Sequence, residues 1–516
     1  MTWTPWLAAL APIAYLAASL APSGASSTNR TSLAAGWLSL AAAGGALVSA
    51  LAAGAATSPT IGAAGLGASI RVDALSGVLS GLIAFIGLIV VAYSRNYLAG
   101  DPGQGRFMRQ LCLTLSLLQA LVLSGNLAQL VVCWIAASLC VNRLLLFRSE
   151  RQAAVLAARK RFLVGRLADA ALIAAAMLLW RAAESGDIGV VLAAARQRAG
   201  IEWGLAATLL ALAAIFSSAQ LPFHGWVLEV METPTPVSAL LHAGVVNAGG
   251  FLVLRFAEVV GPHPAALWLL ILVGGASAVF GSLVMLPQTS VKVAFAYSTI
   301  AQMGFMLLEC GLGAYSAALL HILAHALYKA HAFLAAGGVA AAPKRRAPAT
   351  PAPALAVLAV PALVALAAVA MWGLGAGPTQ QPGVFVLSAV VLLGLARAWM
   401  DRRDRDGLLA AAVLSAVVIT TYAAVQAVFA RIIVDLRPQL ATPGPTSIAV
   451  SIGIVIFMTG LVCLQLRAPG GTGSAAWARA YALVSSGFHL NTIANRWVLR
   501  FWPAAPSKAN HSGAAA

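Results

Sequence analysis

Long apolar runs constrain the fold of this chain more than any other feature. Each is long enough for a transmembrane helix, which needs about 20 predominantly apolar residues. Inside a bilayer only helices and closed barrels satisfy all of their backbone hydrogen bonds. The pattern therefore predicts an all-α polytopic membrane protein with about 15 transmembrane helices. The runs begin near Trp3, Leu33, Val72, Phe107, Leu127, Phe162, Trp203, Thr235, Ala265, Val291, Ala314, Leu355, Val384, Leu408 and Ile448.

Composition supports this class and excludes several others. Of the 516 residues, 61% are hydrophobic and 9% are charged, whereas soluble domains carry about 25% charged residues. The net charge of +17 comes from basic residues in short loops, which indicates contacts with membrane lipids and no nucleic acid. The scattered cysteines do not indicate a metal site, and the common motifs of hydrolases and nucleotide-binding enzymes are absent. We therefore expect no catalytic residue and no metal or cofactor in this chain.

Basic residues mark one side of the membrane. They follow odd-numbered spans, and the positive-inside rule assigns such loops to the cytoplasm. This predicts a multi-pass protein of the inner membrane with its N-terminus outside and its C-terminus in the cytoplasm. The clusters are Arg30; Arg95, Arg106 and Arg109; Arg148, Arg151, Arg159, Lys160 and Arg161; Lys344, Arg345 and Arg346; Arg402, Arg403 and Arg405; and Arg467.

The stretch 217–250 differs from the plain apolar helices around it. Pro222, Pro234 and Pro236 interrupt regular helix. A charge at the centre of a membrane helix costs about 2.5–3.5 kcal/mol, and broken backbone is tolerated only where it is buried in protein or lines a wet cavity. These features favour an ion or proton path. The polar side chains concerned are Gln220, His224, Glu229, Glu232, His242 and Asn247.

A second polar group lies in the span that begins near Ala314. His321, His325 and Lys329 are spaced i, i+4, i+8 and share one face of a helix. Burial favours their neutral forms, so they can carry a transferable proton near neutral pH. The alternative is that buried histidines bridge helices by hydrogen bonds. Lys292, at the start of another span, either belongs to the path or extends its amine to the membrane surface.

Other isolated charges favour structural roles. Arg166 and Asp169 are three residues apart on one span, which predicts a structural ion pair. The same spacing predicts a pair between Arg255 and Glu258. Two acidic residues near helix ends, Asp73 and Glu309, are expected at the membrane interface.

Several segments match the proton-conducting antiporter superfamily, which includes antiporter-like subunits of complex I and multisubunit sodium/proton antiporters. They cover about 120 residues in the order of that superfamily, so the chain resembles it. The segments are Ser218–Gln220, Met231–Glu232, Pro234–His242, Ala296–Thr299, Gln302–Gly304 and His321–Lys329.

Within the superfamily the chain is most similar to the DabB family, the membrane subunits of DAB inorganic carbon transporters. The resemblance implies proton conduction coupled to inorganic carbon (CO2/bicarbonate) uptake. It also implies a DabA-type partner, a large cytoplasmic carbonic-anhydrase-like subunit whose zinc would generate hydroxide for CO2 hydration. The segments that carry it are Tyr93–Leu98, Gly100–Phe107, Ala157–Phe162, Pro222–Trp226, Glu229–Thr233, Gly487–Phe488, Asn495–Arg496 and Trp502–Pro503.

The family fold implies two inverted five-helix repeats, each with one broken helix. The expected divisions are N-terminal helices at 1–106, repeats at 107–256 and 265–397, C-terminal helices at 398–467, and a cytoplasmic amphipathic tail at 468–516. The breaks are expected at Pro222 and Pro361. Two basic, proline-rich or glycine-rich segments, Pro343–Pro353 and Arg467–Ser474, are predicted linkers. The stretch Trp477–Trp502 is too polar to span and predicts a surface helix or a partner-docking segment.

Two positions depart from the superfamily pattern. Ile135 stands where relatives have a glutamate, and Ser217 stands where they have a lysine. The usual first ion pair of the pump is therefore missing. The remaining candidates for a proton path are Glu232, His242, His321, His325, Lys329, Lys292, Glu229 and His224. A subunit of a cation/proton antiporter or complex I-like assembly, and a non-conducting membrane anchor, stay open as alternatives.

Overall fold

Almost all of the chain is helical in the computed structural model. It describes residues 3–22, 25–63, 66–197, 200–339, 354–373, 377–400, 405–432, 444–467 and 475–503. The α-helices are α1 (Thr4–Ser19), α2 (Ala25–Ala53), α3 (Ala74–Tyr97), α4 (Gln104–Val122), α5 (Leu127–Leu145), α6 (Gln152–Ala183), α7 (Ile188–Ala195), α8 (Ile201–Ser217), α9 (Gly225–Glu229), α10 (Thr235–Ala243), α11 (Ala248–Arg255), α12 (Ala257–Val260), α13 (Pro264–Met285), α14 (Val291–Gly311), α15 (Tyr315–Val339), α16 (Ala354–Gly373), α17 (Pro382–Met400), α18 (Arg405–Ile432), α19 (Pro445–Arg467), α20 (Ala475–Ser485) and α21 (Leu490–Phe501). Strands β1 (Ala56–Thr57) and β2 (Arg71–Val72) form one antiparallel pair.

The apolar runs fold as membrane-length helices. In the described ranges, ten helices are long and apolar enough to cross a membrane, and four more apolar helices have 10–17 residues. Each of the predicted spans begins in or beside a helix. The all-α polytopic fold class is therefore confirmed.

The basic segment before Phe162 is helix, where we predicted a loop. Helix α6 already begins at Gln152, because the Ala-rich sequence that follows favours helix. Lys160 and Arg161 therefore lie inside α6 and are only 4% and 5% exposed. Their predicted placement in a loop is wrong.

The backbone of the 217–250 stretch is irregular, as its prolines predict. Helix α8 ends at Ser217, Ala219 has a positive φ of 54°, and the Leu221–Pro222 peptide is cis. A second interruption, which we did not predict, follows Gly244 and separates α10 from α11 by a short 3-10 helix. The break predicted at Pro361 is not found, since α16 continues through that residue. The division into two inverted repeats stays a prediction.

Helices α13 and α14 pack very closely, and this contact fixes the position of α14 in the helix bundle. A Cβ atom added at Gly304 would lie 2.5 Å from the Ala278 backbone nitrogen, and one added at Gly281 would lie 2.6 Å from that of Ala301. Only glycine allows this approach. Helix α14 consequently places its polar side chains inside the protein.

Helices α20 and α21 form a C-terminal tail, residues 475–503, across one end of the helix bundle. The Gln288 amide donates to the Ser485 carbonyl (3.1 Å), and Arg159 donates to the Trp502 carbonyl (2.7 Å). Neither helix of the tail has a buried residue, which agrees with the surface position predicted for this stretch. We call this end of the bundle the tail end. The predicted linker 343–353 lies outside the described residues, and so does the predicted linker 467–474 apart from Arg467, which ends α19.

Candidate functional site

One face of α15 carries three buried ionisable side chains. His321, His325 and Lys329 are 7%, 5% and 0% exposed, and they follow one another at about 6 Å intervals along the helix axis. His331 lies on another face and is exposed. The helical spacing read from the sequence therefore places these groups in a single buried row.

His321 lies between two acceptors on α14. Its Nδ1 is 3.1 Å from the Glu309 carboxylate, and its Nε2 is 2.8 Å from the Gln302 amide oxygen. Both ring nitrogens therefore face acceptors, an arrangement that suits the imidazolium form with Glu309 as its counter-charge. Glu309 is fully buried, so the prediction that it lies at the membrane interface is wrong; its pairing with His321 satisfies it inside the protein.

Lys329 is buried among aromatic rings. Its Nζ donates to the Phe295 carbonyl (2.9 Å) and lies 5.3 Å from the centre of the Phe295 ring. No carboxylate whose side chain the structure describes lies within ion-pair distance of it. Holding a buried ammonium without a counter-charge is costly, so this amine is suited to release and regain a proton.

His242 on α10 faces the same row from the irregular stretch. Its Nδ1 is 2.9 Å from the Thr299 hydroxyl, and its ring stacks on Phe333 at 4.3 Å between centroids. Because Thr299 donates to the Phe295 carbonyl (3.0 Å), its oxygen accepts from His242 Nδ1–H. The Nε2 atom is then a proton acceptor without a partner among the described residues. Phe333 lies four residues beyond Lys329 on α15, so His242 packs on the helix face that carries the row.

A second polar cluster lies at the tail end. The Lys160 amine donates to both oxygens of the Glu229 carboxylate at 2.7 Å, and Asn491 of the tail contacts both residues. His224 is only 1% exposed and packs edge-on against Phe280 at 5.0 Å. No side chain within the described part of the chain hydrogen-bonds to its ring nitrogens, and the Pro222 backbone lies close to the ring.

Helix α14 connects the two clusters. Tyr297 packs beside Phe280 in the apolar cluster at the tail end, and Thr299 contacts His242. Glu309, twelve residues beyond Tyr297 and about 18 Å further along the helix, binds His321. Polar groups are thus spaced from the tail end towards the opposite end of the bundle.

The described part of the structure assigns two of the predicted path residues, Glu232 and Lys292, to neither cluster. The side chain of Glu232 lies outside the described part of the structure. Lys292 is half-buried in the first turn of α14. Among the described residues, no contact joins Lys292 to another predicted path residue. Both assignments stay predictions.

The predicted ion pairs have mixed outcomes. Arg166 and Asp169 do form a pair, at 2.6 Å. The pair predicted between Arg255 and Glu258 is wrong, because the helix is interrupted at Phe256 and the i, i+3 geometry is lost. Arg255 binds Asp73 at the start of α3 instead, and Glu258 binds Arg196 at 2.9 Å.

Helices pack closely around Ser217, one of the two positions where the resemblance implies a charged residue. The Ser217 hydroxyl donates to the Ala214 carbonyl (3.0 Å), and a Cβ added at Gly249 of α11 would lie 2.8 Å from it. Ile135, at the other position, packs against the apolar core. Apolar packing and a short hydroxyl therefore occupy the two positions where the resemblance implies a glutamate and a lysine.

The hydrogen-bond and ion-pair partners that other helices supply to the site residues were not predicted from the sequence. Lys160 was assigned to an orientation signal, although it lies in the matched segment Ala157–Phe162. Thr299 and Glu309 on α14, and Asn491 in the tail, carry no sequence signal that links them to their partners. In the described ranges no group of three or more His, Cys, Asp or Glu side chains is arranged to hold a metal ion.

Comparisons with known proteins show which family the chain is similar to. The family model described as NADH:quinone oxidoreductase/Mrp antiporter, TM, matches residues 124–402, and that of the complex I chain 5 N-terminus matches 60–108. The probable inorganic carbon transporter subunit DabB of Hydrogenovibrio crunogenus is 35% identical over 84% of this chain and 83% of the relative. For DabB2 of Halothiobacillus neapolitanus the identity is 37% over 85% and 82%.

The chain belongs to the DabB family of inorganic carbon transporter subunits. It is thus an antiporter-like membrane protein. A solved structure of the Mrp complex from Dietzia sp. DQ12-45-1b aligns with a TM-score of 0.58 and 25% identity, covering 98% of this chain and 57% of that chain. A chain of an archaeal membrane-bound sulfane sulfur reductase aligns with the same TM-score at 17% identity, over 96% and 99% of the two chains, and shows a shared fold.

Proposed function

We propose that this chain is the proton-conducting membrane subunit of an inorganic carbon transporter. The observation that carries the proposal is the buried row of His321, His325 and Lys329 on α15, which His242 faces and whose His321 is paired with Glu309. Ionisable groups are expensive inside a membrane protein and occur there mostly on ion and proton pathways. The DabB relatives, similar over more than four fifths of both chains, support inorganic carbon as the substrate class.

Distinct chemical tasks are proposed for His242, for Lys329 and for the pair of His321 and Glu309. His242 presents Nε2 as a proton acceptor because Thr299 occupies Nδ1. Lys329 lacks a described counter-charge, so it exchanges its proton readily with the neighbouring rings. The pair of His321 and Glu309 holds a proton between an imidazole and a carboxylate. A proton that enters at one end can therefore be passed along α15 by these side chains, with water bridging the gaps between them.

A second subunit completes the proposed transporter. The relatives are named as DabB subunits, which supports a heteromeric complex. We infer a DabA-type, carbonic-anhydrase-like partner on the cytoplasmic side, whose zinc supplies hydroxide for CO2 hydration. Hydration releases a proton, and conduction through this chain would remove it and make the reaction vectorial. The orientation in the inner membrane, with the C-terminus in the cytoplasm, follows from the basic loops.

A pull-down of the tagged chain from native membranes, with mass spectrometry and zinc analysis, tests this assignment. We expect one large soluble partner with zinc in stoichiometric amount. Capture of several antiporter-like membrane subunits without zinc would overturn the carbon-transporter assignment.

A cation/proton antiporter subunit is the second candidate. It is favoured by the alignment with the Dietzia Mrp complex. The NAD(P)H-quinone oxidoreductase chain 5 of Synechocystis, 37% identical over 52% of this chain and 40% of the relative, favours a complex I-like assembly in the same way. Sodium-dependent proton movement in vesicles that contain no inorganic carbon would support this candidate.

A membrane anchor that conducts no ions is the third candidate. It is favoured by Ile135 and Ser217, which remove the usual ion pair of the superfamily. An anchor would tolerate removal of the Lys329 amine as long as the complex assembles. The proton-conducting subunit would lose its activity with the same change.

A further inference from the structure

The C-terminal tail contributes one side chain to a buried ion pair. Asn491 Oδ1 accepts from the Lys160 amine at 2.7 Å, and Asn491 Nδ2 donates to the Glu229 carboxylate at 3.0 Å. The side-chain amide of Asn491 thus hydrogen-bonds to both residues of an ion pair whose members lie far apart in the chain. Hydrogen bonds to charged groups are stronger than those between neutral groups, so this contact holds the tail firmly in position.

Two glycines allow the tail to approach so closely. A Cβ atom at Gly225, the first residue of α9, would lie 2.4 Å from Asn491 Oδ1. Gly487, between the two tail helices, has a φ of +62°, and its Cβ would lie 2.6 Å from the Tyr297 hydroxyl. A side chain at either position would displace the tail or the group below it.

Apolar tail residues cover the region around His224. Phe488 packs against Phe280 at 6.0 Å between ring centres, and Val484 and Leu490 pack on the cluster that contains Phe280 and Tyr297. On its other side Phe280 contacts His224. The tail therefore separates this histidine from the surface of the protein.

His224 points to a second state of this region. Buried polar groups are almost always hydrogen-bonded, yet no side chain among the described residues hydrogen-bonds to the His224 ring. Water that entered between α9 and the tail would supply hydrogen-bond partners to the ring. It would also reach Lys160 and Glu229, which Asn491 now covers.

We propose that the tail is a removable cover over the tail-end mouth of the proton path, with Asn491 as the positioning residue that holds it shut. This inference rests on the proposed function, because a cover has a role only if protons pass beneath it. With Asn491 in place, Lys160, Glu229 and His224 are shielded from bulk water. When the tail moves away, these three groups form a wet entrance that leads past Tyr297 to His242.

The test combines hydrogen–deuterium exchange with proton flux in proteoliposomes that contain the purified complex. Asn491→Ala removes the contact from the tail, and Gly225→Ala disrupts the same contact without altering the tail. Thr492→Ala, an exposed neighbour on α21, is the matched control. Since two hydrogen bonds to charged groups are lost, we expect exchange of the tail amides to be on the order of tenfold faster in both variants. Proton flux driven by an imposed pH gradient should rise several-fold in both, and Thr492→Ala should behave as the wild type.

The outcomes separate this inference from the proposed function. Faster amide exchange with unchanged proton flux would overturn the cover, and so would unchanged exchange in both variants. Inorganic carbon uptake by the wild-type complex is measured in the same preparation. A wild-type complex that takes up inorganic carbon while the cover prediction fails leaves the proposed function standing. A wild-type complex that neither conducts protons nor takes up inorganic carbon overturns both.

Discussion

Asp73 shows how a single residue can serve two structural purposes. Its carboxylate accepts from the Ser76 backbone at 2.9 Å and so caps α3, and it binds both Arg71 at 3.0 Å and the fully buried Arg255. Burial alone would raise the pKa of Asp73, but the charges of Arg255 and Arg71 outweigh it and hold the pKa below its ordinary value. The residue therefore stays ionised and fixes the start of α3 to the end of α11.

The Asp73→Asn substitution separates these purposes, because asparagine still caps a helix but leaves Arg255 without its counter-charge. We expect a loss of about 3 kcal/mol in unfolding free energy at neutral pH. A carboxylate whose pKa is lowered by folding stabilises the fold fully at pH values above its unfolded-state pKa of about 3.9. This stabilisation is lost progressively as the pH falls below that value. The difference in thermal unfolding between wild type and variant should thus be constant from neutral pH down to about 5 and shrink below about 4.

The control is Asp187→Asn, since Asp187 also caps a helix by accepting from Val190 at 3.0 Å. It should change thermal stability little at any pH. Equal destabilisation by the two substitutions would show that the ion pair with Arg255 does not stabilise the fold.

At the scale of elements, the packing of α13 against α14 positions the site. Gly304→Ala would place a Cβ 2.5 Å from the Ala278 nitrogen and 2.6 Å from the Gly274 carbonyl oxygen. Both are backbone atoms, so the helices must separate, at a cost of about 1–3 kcal/mol. We expect a lower unfolding temperature in detergent together with reduced inorganic carbon uptake, since α14 carries Thr299 and Glu309.

Gly453→Ala on α19 is the matched control for this prediction. Nothing lies within 4 Å of a Cβ at that position, and alanine favours helix over glycine by up to about 1 kcal/mol. This variant should be unchanged or slightly more stable. If Gly304→Ala were equally stable, the close contact of α13 and α14 would not hold α14 in place.

Sequence patterns predicted features within one element better than contacts between elements. The row of His321, His325 and Lys329 follows from the helical period, which is local. Glu309 binds His321 only because α14 and α15 pack together, and Asn491 lies 331 residues from Lys160. No local pattern encodes such pairings.

Predictions from local sequence patterns were wrong where a helix ended earlier, or extended further, than the pattern implied. The spacing of Arg255 and Glu258 predicts a pair only in a continuous helix, and the helix breaks at Phe256. The basic residues around Lys160 have the composition of an orientation signal, yet α6 extends through them and buries two of them. In both cases the position of a helix end decided the outcome.

At the scale of the whole molecule, polar groups extend from the tail end to the opposite end of the bundle. The Lys160–Glu229 pair lies at the tail end, the row on α15 lies in the centre, and the Arg255–Asp73 and Arg196–Glu258 pairs lie at the opposite end. Such an arrangement fits the proposed proton conduction. It does not depend on charges at Ile135 and Ser217, the positions where the resemblance implies a glutamate and a lysine.

Removal of the Lys329 amine tests this account most directly. Lys329→Ala would be reconstituted with its native partners beside His331→Ala, an exposed change on the same helix, and assembly verified by co-purification. Proton movement and inorganic carbon uptake would be recorded together in vesicles. We predict that Lys329→Ala lowers both rates by tenfold or more, an added barrier of about 1.4 kcal/mol or above, while His331→Ala retains them. An assembled Lys329→Ala complex that transports at the wild-type rate would contradict proton conduction through this row.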